Sequence, residues 1–363
     1  MTKVAIVGLG NAARALHLPA LASLEDVELV GGCDLDGSLR ETAGRDFNMR
    51  TFADLGEMLT TAAPEVVVVA TPPAAHVPVC VAALEAGAHV LCEKPLAPSL
   101  AEADTILAAA ERGSGQLALN HEFRCMPIFQ AMREKVGSAG VGGLVTAQAW
   151  QCMDLPPWKE PGWRGELLTG VLYEAGLHLV DFLLFLFDEK PISVSAATSS
   201  CGASEDESDA VALVTLEFSR GRLAQVTQNR LSHVNTQYFE VRADCQEATL
   251  RASYGGRARL SAGMVRSTRP HLRVEFGATG IAWSERGTER EAVERNPRDA
   301  PMDATRRLIA ATLEAFATGG TPPASGQAGR DVLEVIAAAY QSARTGKRVN
   351  LREGPPEDLT GMF

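Results

Sequence analysis

Lys94 stands between Glu93 and Pro95, directly after the apolar run His89 to Cys92. A lysine at the tip of a strand can share a proton with a substrate hydroxyl. A short apolar strand near the start of the chain runs into Gly8-Leu9-Gly10-Asn11-Ala12-Ala13. Gly8 permits a tight turn, Gly10 lets a pyrophosphate approach the backbone, and Ala13 keeps the following helix close to the strand. The helix that opens at Asn11 and Ala12 offers free N–H groups and a positive dipole end. Asp34 lies 21 residues past Ala13, at the end of the second strand. A carboxylate there bonds a ribose 2′-hydroxyl and repels a 2′-phosphate. No basic residue follows it until Arg40, so NAD is expected over NADP. The turn and the lysine together imply redox chemistry on a small molecule.

A second constellation lies further along. Glu174 and His178 are spaced i, i+4 in a segment, Thr169 to Phe187, that reads as one helix. That spacing places both side chains on one face, with Asp181 nearly in line. Such a histidine can take the proton from an alcohol as hydride leaves the carbon. The carboxylate can orient the histidine or bind substrate. A buried polar network holding the helix would produce the same pattern. No third ligand accompanies the pair, so a metal site is not expected. Trp158 and Trp163 can stack on a sugar or belong to a core.

Composition narrows the classes. The chain has 363 residues, 46% of them apolar, and a net charge of −11. That length suggests two domains. The acidity argues against nucleic acid as a partner, which wants a basic face, and against an anionic membrane surface. The run Leu177 to Phe187 carries His178 and Asp181 and is too short to span a bilayer. Seven scattered cysteines without metal spacing fit reduced thiols in a cytoplasm.

These residues must be positioned by a regular frame. The first third alternates strand-like and helix-like segments: Val4–Val7, a helix to Ala22, Val27–Cys33, Gly37–Phe47, Val66–Ala70, Val77–Ala86, His89–Cys92, Leu100–Arg112 and Gln116–Leu119. That alternation predicts an α/β fold with a doubly wound parallel sheet. Beyond about residue 122 the pattern changes to a helix, a strand, a Pro-rich loop, the Thr169–Phe187 helix and then β-like runs to about Ser284. Two closing helices are expected at Ala304–Thr318 and Arg330–Arg344. The expected organisation is a nucleotide-binding Rossmann domain, 1–122, and an α+β domain, 123–363, with a mostly antiparallel sheet.

On these motifs the chain resembles the Gfo/Idh/MocA oxidoreductases over nearly its whole length. Gly8 to Ala13, with His17, Pro19 and Ala20, is similar to the family's first turn and helix. Thr71-Pro72-Pro73 with His76 is similar to the element at its fourth strand, and Glu93-Lys94-Pro95 is its most specific signature. Asn120 to Arg124 resembles the segment leaving the nucleotide domain, and Trp163-Arg164 the pair ahead of the substrate-side helix. The family's DxxxH motif is matched by Glu174 and His178, with glutamate in place of aspartate and the glycine run reduced to Gly170.

The resemblance implies that Lys94 is catalytic, with Glu174 and His178 beside the substrate. It implies cofactor contacts at Gly8, Gly10, Asn11, Ala12, Ala13, Asp34, Thr71, Pro72, His76, Glu93 and Lys94. Asn120, Arg124, Trp163 and Arg164 then join Lys94, Glu174 and His178 on the substrate side. It further implies dehydrogenase activity, NAD(P) use, and a homodimer or homotetramer formed through an open-faced sheet. The expected substrate is a sugar, inositol or related polyol. Two alternatives share the site: an NAD-retaining enzyme that cleaves glycosidic bonds through transient oxidation, and a non-catalytic ligand sensor.

Overall fold

Strand formation in the first unit follows the apolar runs. Val66–Val69 is buried at every position, as a strand covered on both faces must be. β1 (Thr2–Val7), β2 (Val27–Cys33), β3 (Thr51–Phe52), β4 (Val66–Val69), β5 (His89–Cys92) and β6 (Leu117–Leu119) form a parallel sheet in the order β3-β2-β1-β4-β5-β6. In this doubly wound order ligands bind beyond the carboxyl ends of the strands, where the strand order reverses between β1 and β4. The structure is a computed structural model that describes residues 1–153, 170–201, 209–232, 239–255, 259–264, 270–275 and 280–357.

The helices between these strands carry their own start signals. A π-helical turn, Ala13–His17, leads into α1 (Leu18–Ala22). Asp36 caps α2 (Gly37–Phe47) by accepting from Ser38 N–H at 2.7 Å. Asp54 caps α3 (Leu55–Ala62), accepting from Glu57 N–H at 2.7 Å. Then come α4 (His76–Glu85) and α5 (Leu100–Arg112), the latter capped by Ser99. Such caps satisfy N–H groups that have no intrahelical partner. β3 and α3 were not anticipated from the sequence. β3 has two residues, too few to show a period.

The second unit is built on a large sheet. Its elements begin with α6 (Pro127–Lys135) and β7 (Leu144–Cys152). A π-helical turn, Leu172–Gly176, leads into α7 (Leu177–Phe187). Then follow β8 (Ser193–Ser199), β9 (Val211–Glu217), β10 (Leu223–Asn229), β11 (Phe239–Cys245) and β12 (Thr249–Tyr254). β13 (Arg259–Met264) and β14 (Pro270–Glu275) pair with each other; β15 (Ile281–Arg286) and β16 (Glu289–Arg295) rejoin the main sheet. Helices α8 (Ala300–Thr318) and α9 (Gly326–Thr345) and the short β17 (Val349–Asn350) close the chain.

Among the described residues nine strands join in the order β16-β15-β12-β11-β7-β10-β9-β8-β17. β7 and β10 run parallel and the other neighbours antiparallel. One face is packed: Ala212, Val214 and Leu216 of β9 and Ala224 and Val226 of β10 are buried. The alternate residues Leu213 and Leu223 are exposed. Phe129, Phe182 and Phe239 meet at 4.7–6.1 Å between ring centroids and tie α6 and α7 to β11.

Residues 301–334, expected with the second domain, belong to the first compact unit together with Met1–Cys125. The reason is burial. Leu308, Ile309 and Phe316 of α8 enter the core that holds Val4, Ile6, Val66 and Val68. Phe316 also stacks on His89 at 4.6 Å, and Leu119 N–H donates to Ala324 O, which extends β6. The second unit comprises Met126–Ala300 and Val335–Glu357. No described helix is long and apolar enough to cross a membrane.

Candidate active site

The carboxyl edge of the parallel sheet gathers most of the motif residues of the first unit. Gly8 leaves β1 with φ +88°, and a Cβ there would lie 2.6 Å from Ala70 O, so no other residue fits. Gly10 differs: a Cβ on it would meet nothing within 4 Å. The protein's own packing does not require glycine at 10. The missing side chain keeps backbone open beside the first helical turn, whose N–H groups lack intrahelical partners. Asn11 is exposed, Ala12 half-buried, and Ala13 fully buried against the sheet.

Asp34 closes this turn from the end of β2. Its Oδ2 accepts from Leu9 N–H at 2.7 Å, and its Oδ1 accepts from Asp36 N–H at 2.9 Å. Arg40 returns to the same place, its guanidinium donating to the carbonyls of Asp34 and Leu35 at 2.8 and 2.9 Å. A basic group therefore does stand beside Asp34. The first turn of α2 brings it there across a sequence gap of six residues. Open backbone at Gly10, a helix start and an acceptor at Asp34 together fit a dinucleotide.

The ends of β4 and β5 are locked to each other. His76 is fully buried. Its Nε2 lies 2.9 Å from Thr71 O, and its Nδ1 lies 3.0 and 3.2 Å from Pro95 O and Leu96 O. Expected on the cofactor side, His76 instead clasps the Thr71-Pro72 loop to the Pro95-Leu96 loop. Burial pushes its pKa down, against the pull of those carbonyls. Thr71 is half-buried and Pro72 exposed.

Glu93 is the centre of the arrangement. Its Oε1 sits 2.6 Å from His17 Nε2 and accepts from Asn120 Nδ2 at 2.7 Å; its Oε2 accepts from Lys94 N–H at 3.1 Å. Burial alone would raise its pKa. The bond and charge of His17, the Lys94 charge and the Asn120 bond outweigh that and hold it at about 2. Asn120 is buried at the end of β6 and donates its main-chain N–H to Cys92 O. Arg124, expected to meet substrate, donates to Pro323 O at 3.0 Å.

In the second unit Glu174 falls inside the π-helical turn and His178 in the first turn of α7. The expected uniform helix from Thr169 is thus replaced, over its described part, by an i→i+5 turn followed by an α-helix. The i, i+4 relation of Glu174 and His178 is not that of a regular helix. His178 and Asp181 are buried; Glu174 is half-buried. Asp209 anchors the turn: its Oδ2 accepts from Leu172 N–H at 3.1 Å and its Oδ1 from Tyr340 OH at 2.8 Å. Tyr340 OH in turn accepts from Tyr173 N–H at 3.2 Å. Burial raises the Asp209 pKa. A Cβ on Gly170 would overlap Asp209, which explains the glycine there. Asp209 follows an acidic, serine-containing stretch of sequence and carries no motif, so nothing in the sequence singled it out. Trp158, Trp163 and Arg164 lie outside the described residues.

Two family models match the chain. Residues 2–121 match an oxidoreductase family with an NAD-binding Rossmann fold, and residues 129–251 match the Gfo/Idh/MocA C-terminal domain. The chain belongs to the Gfo/Idh/MocA oxidoreductases. It is an NAD(P)-binding enzyme of that family, with the Rossmann sheet and the large, mostly antiparallel sheet of its two units.

Members of known activity are similar over different extents. D-apiose dehydrogenase of Paraburkholderia graminis is 28% identical over 96% of the chain and 90% of its own length. The scyllo-inositol 2-dehydrogenase (NADP+) of Bacillus subtilis is 27% identical over 62% of the chain and 61% of its own length. An Agrobacterium radiobacter oxidoreductase, solved with NAD+, L-tartaric acid and magnesium, superposes with a TM-score of 0.80 at 18% identity. That superposition covers 97% of the chain and 99% of the other, and shows the shared fold.

Proposed function

We propose that the chain is an NAD-dependent dehydrogenase acting on a secondary hydroxyl of a sugar, inositol or related polyol. The observation that carries this is the place of Lys94. It follows β5 on the sheet edge that holds Gly8, Gly10 and Asp34, and Glu93 beside it is fixed from three directions. The named activities of D-apiose dehydrogenase and scyllo-inositol 2-dehydrogenase support the substrate class.

Gly8, Gly10, Asn11, Ala12 and Ala13 would hold the pyrophosphate and Asp34 the adenine ribose, while the nicotinamide, when bound, supplies the hydride acceptor. Lys94 and His178 are assigned to the hydroxyl proton, and Glu174 to the substrate or to His178. His76 and Asn120 keep the β4, β5 and β6 ends in place. An assay of NADH formation over a panel of sugars and polyols tests the proposal. Turnover without net NADH would favour an NAD-retaining glycosidase.

Cofactor choice follows from Asp34. Its carboxylate stands at the end of β2, and Arg40 spends its guanidinium on main-chain carbonyls. We expect tighter binding of NAD than of NADP in calorimetric titrations. Equal affinities, or tighter NADP, would overturn that choice.

A homo-oligomer is the other part of the proposal. Leu213 and Leu223 sit 46% and 47% exposed on adjacent strands of the large sheet. Apolar residues on an uncovered sheet face favour association. Light scattering at micromolar concentration should give a dimer or tetramer; a clean monomer of 38.5 kDa contradicts it.

A further inference from the structure

We propose that His17 is a positioning residue that couples occupancy of the dinucleotide turn to the placement of Lys94 through Glu93. This rests on the assignment of Lys94 as an acid–base group. His17 ends the π-helical turn that begins at Ala13, directly behind the glycine turn, and is 0% exposed. Its Nε2 is 2.6 Å from Glu93 Oε1. β1 and β5 are not neighbours, because β4 lies between them. The contact therefore crosses the end of β4, next to the point where the strand order reverses.

One carboxylate thus holds three segments at once. Oε1 takes the imidazole that follows β1 and the Asn120 amide that follows β6, at 2.6 and 2.7 Å. Oε2 takes the main-chain N–H of Lys94 at 3.1 Å. Among the described residues His17 Nδ1 has no hydrogen-bond partner, and Nε2 faces the carboxylate. Nε2 is therefore the donor to Glu93.

The coupling has a simple physical route. An anion bound at the first helical turn bears on the π-helical turn that carries His17. A carboxylate that is largely withdrawn from water, as Glu93 is with its side chain 13% exposed, depends on its donors. Any shift of His17 therefore shifts Glu93, and Lys94 is the next residue along the backbone. Coupling of this kind is reciprocal between binding events. The geometry predicts that loss of the His17 donor weakens NAD binding and slows turnover together, although His17 is fully buried.

The test uses the full-length enzyme with His17→Ala, His17→Gln, Glu93→Gln and the His17→Ala/Glu93→Gln double variant. NAD affinity is measured by calorimetry, and kcat and KM on a sugar or polyol that the panel assay identifies. His17→Ala should weaken NAD binding about fivefold or more and lower kcat by about 10- to 100-fold with little change in KM. His17→Gln keeps a donor in reach of Glu93 and should recover most of both. The double variant should be no worse than Glu93→Gln, because the two residues act as a unit.

Unchanged NAD affinity in His17→Ala, a His17→Gln variant as impaired as His17→Ala, or additive losses in the double variant would each overturn the coupling. Lys94→Ala separates the two levels. A silent Lys94→Ala removes the acid–base assignment, whereas a severe Lys94→Ala with silent His17 variants removes the coupling alone.

Discussion

Replacing Lys94 by alanine is expected to lower kcat by about 10²- to 10⁴-fold, the range for loss of a general acid–base group. NAD affinity should stay nearly unchanged. The split follows from position. The groups assigned to the pyrophosphate and adenine ribose are Gly8 to Ala13 and Asp34, which follow β1 and β2. Lys94 stands beyond β5, with its main chain tied to Glu93. Steady-state kinetics and calorimetry on one variant read both quantities. Wild-type kcat on a proven substrate would remove Lys94 from the chemistry. A large loss of NAD affinity with normal kcat at saturation would make it a binding group.

Replacing His178 by asparagine is expected to cost a similar factor, about 10²- to 10⁴-fold in kcat. Glu174→Gln should cost less. A neutral imidazole is the ordinary base near neutral pH, and His178 is the buried member of the pair, whereas Glu174 is half-buried. Glu174 belongs to the π-helical turn that Asp209 and Tyr340 hold by hydrogen bonds, so its placement depends on that anchor. The order of the two losses is decisive. A nearly silent His178→Asn beside a severe Glu174→Gln would transfer the base role to Glu174.

The doubly wound sheet was legible because its signals are local. Val66–Val69 is a continuous apolar run, Gly8 and Gly10 mark a turn, and the strand–helix alternation repeats. The meander of β9 and β10 was legible from alternation of apolar and polar residues. α3 was missed although Asp54 and Glu57 form a start signal and Leu55, Met58, Leu59 and Ala62 recur at helical spacing, because the element is only eight residues long. Residues 301–334 were misplaced because the contacts of Leu308, Ile309 and Phe316 are long-range and leave no mark on the amphipathic pattern of α8.

The candidate site divides in the same way. Gly8, Gly10, Asp34, Lys94 and His178 could be proposed from the sequence because residue type and spacing carry the chemistry assigned to them. His76 was found for the right motif, but its buried bonds to Thr71, Pro95 and Leu96 give it a structural task. Arg40 was set aside by sequence distance, although one helical turn returns it to Asp34. The π-helical turn at Leu172–Gly176 was hidden because its hydrogen-bond period is set by Asp209 and Tyr340, 37 and 168 residues from Leu172. His17 and Glu93 are 76 residues apart, and only folding brings them to 2.6 Å.

The central claim is that the edge carrying Lys94 supports NAD-dependent oxidation of a sugar or polyol hydroxyl. The most direct measurement is the near-ultraviolet absorbance of reduced nicotinamide when the purified enzyme and NAD meet a panel that includes D-apiose, myo-inositol and scyllo-inositol. At least one member of the panel should give steady NADH formation with wild-type enzyme, and Lys94→Ala should abolish most of it. Steady turnover that Lys94→Ala leaves intact, or substrate cleavage with no net NADH, would contradict the account.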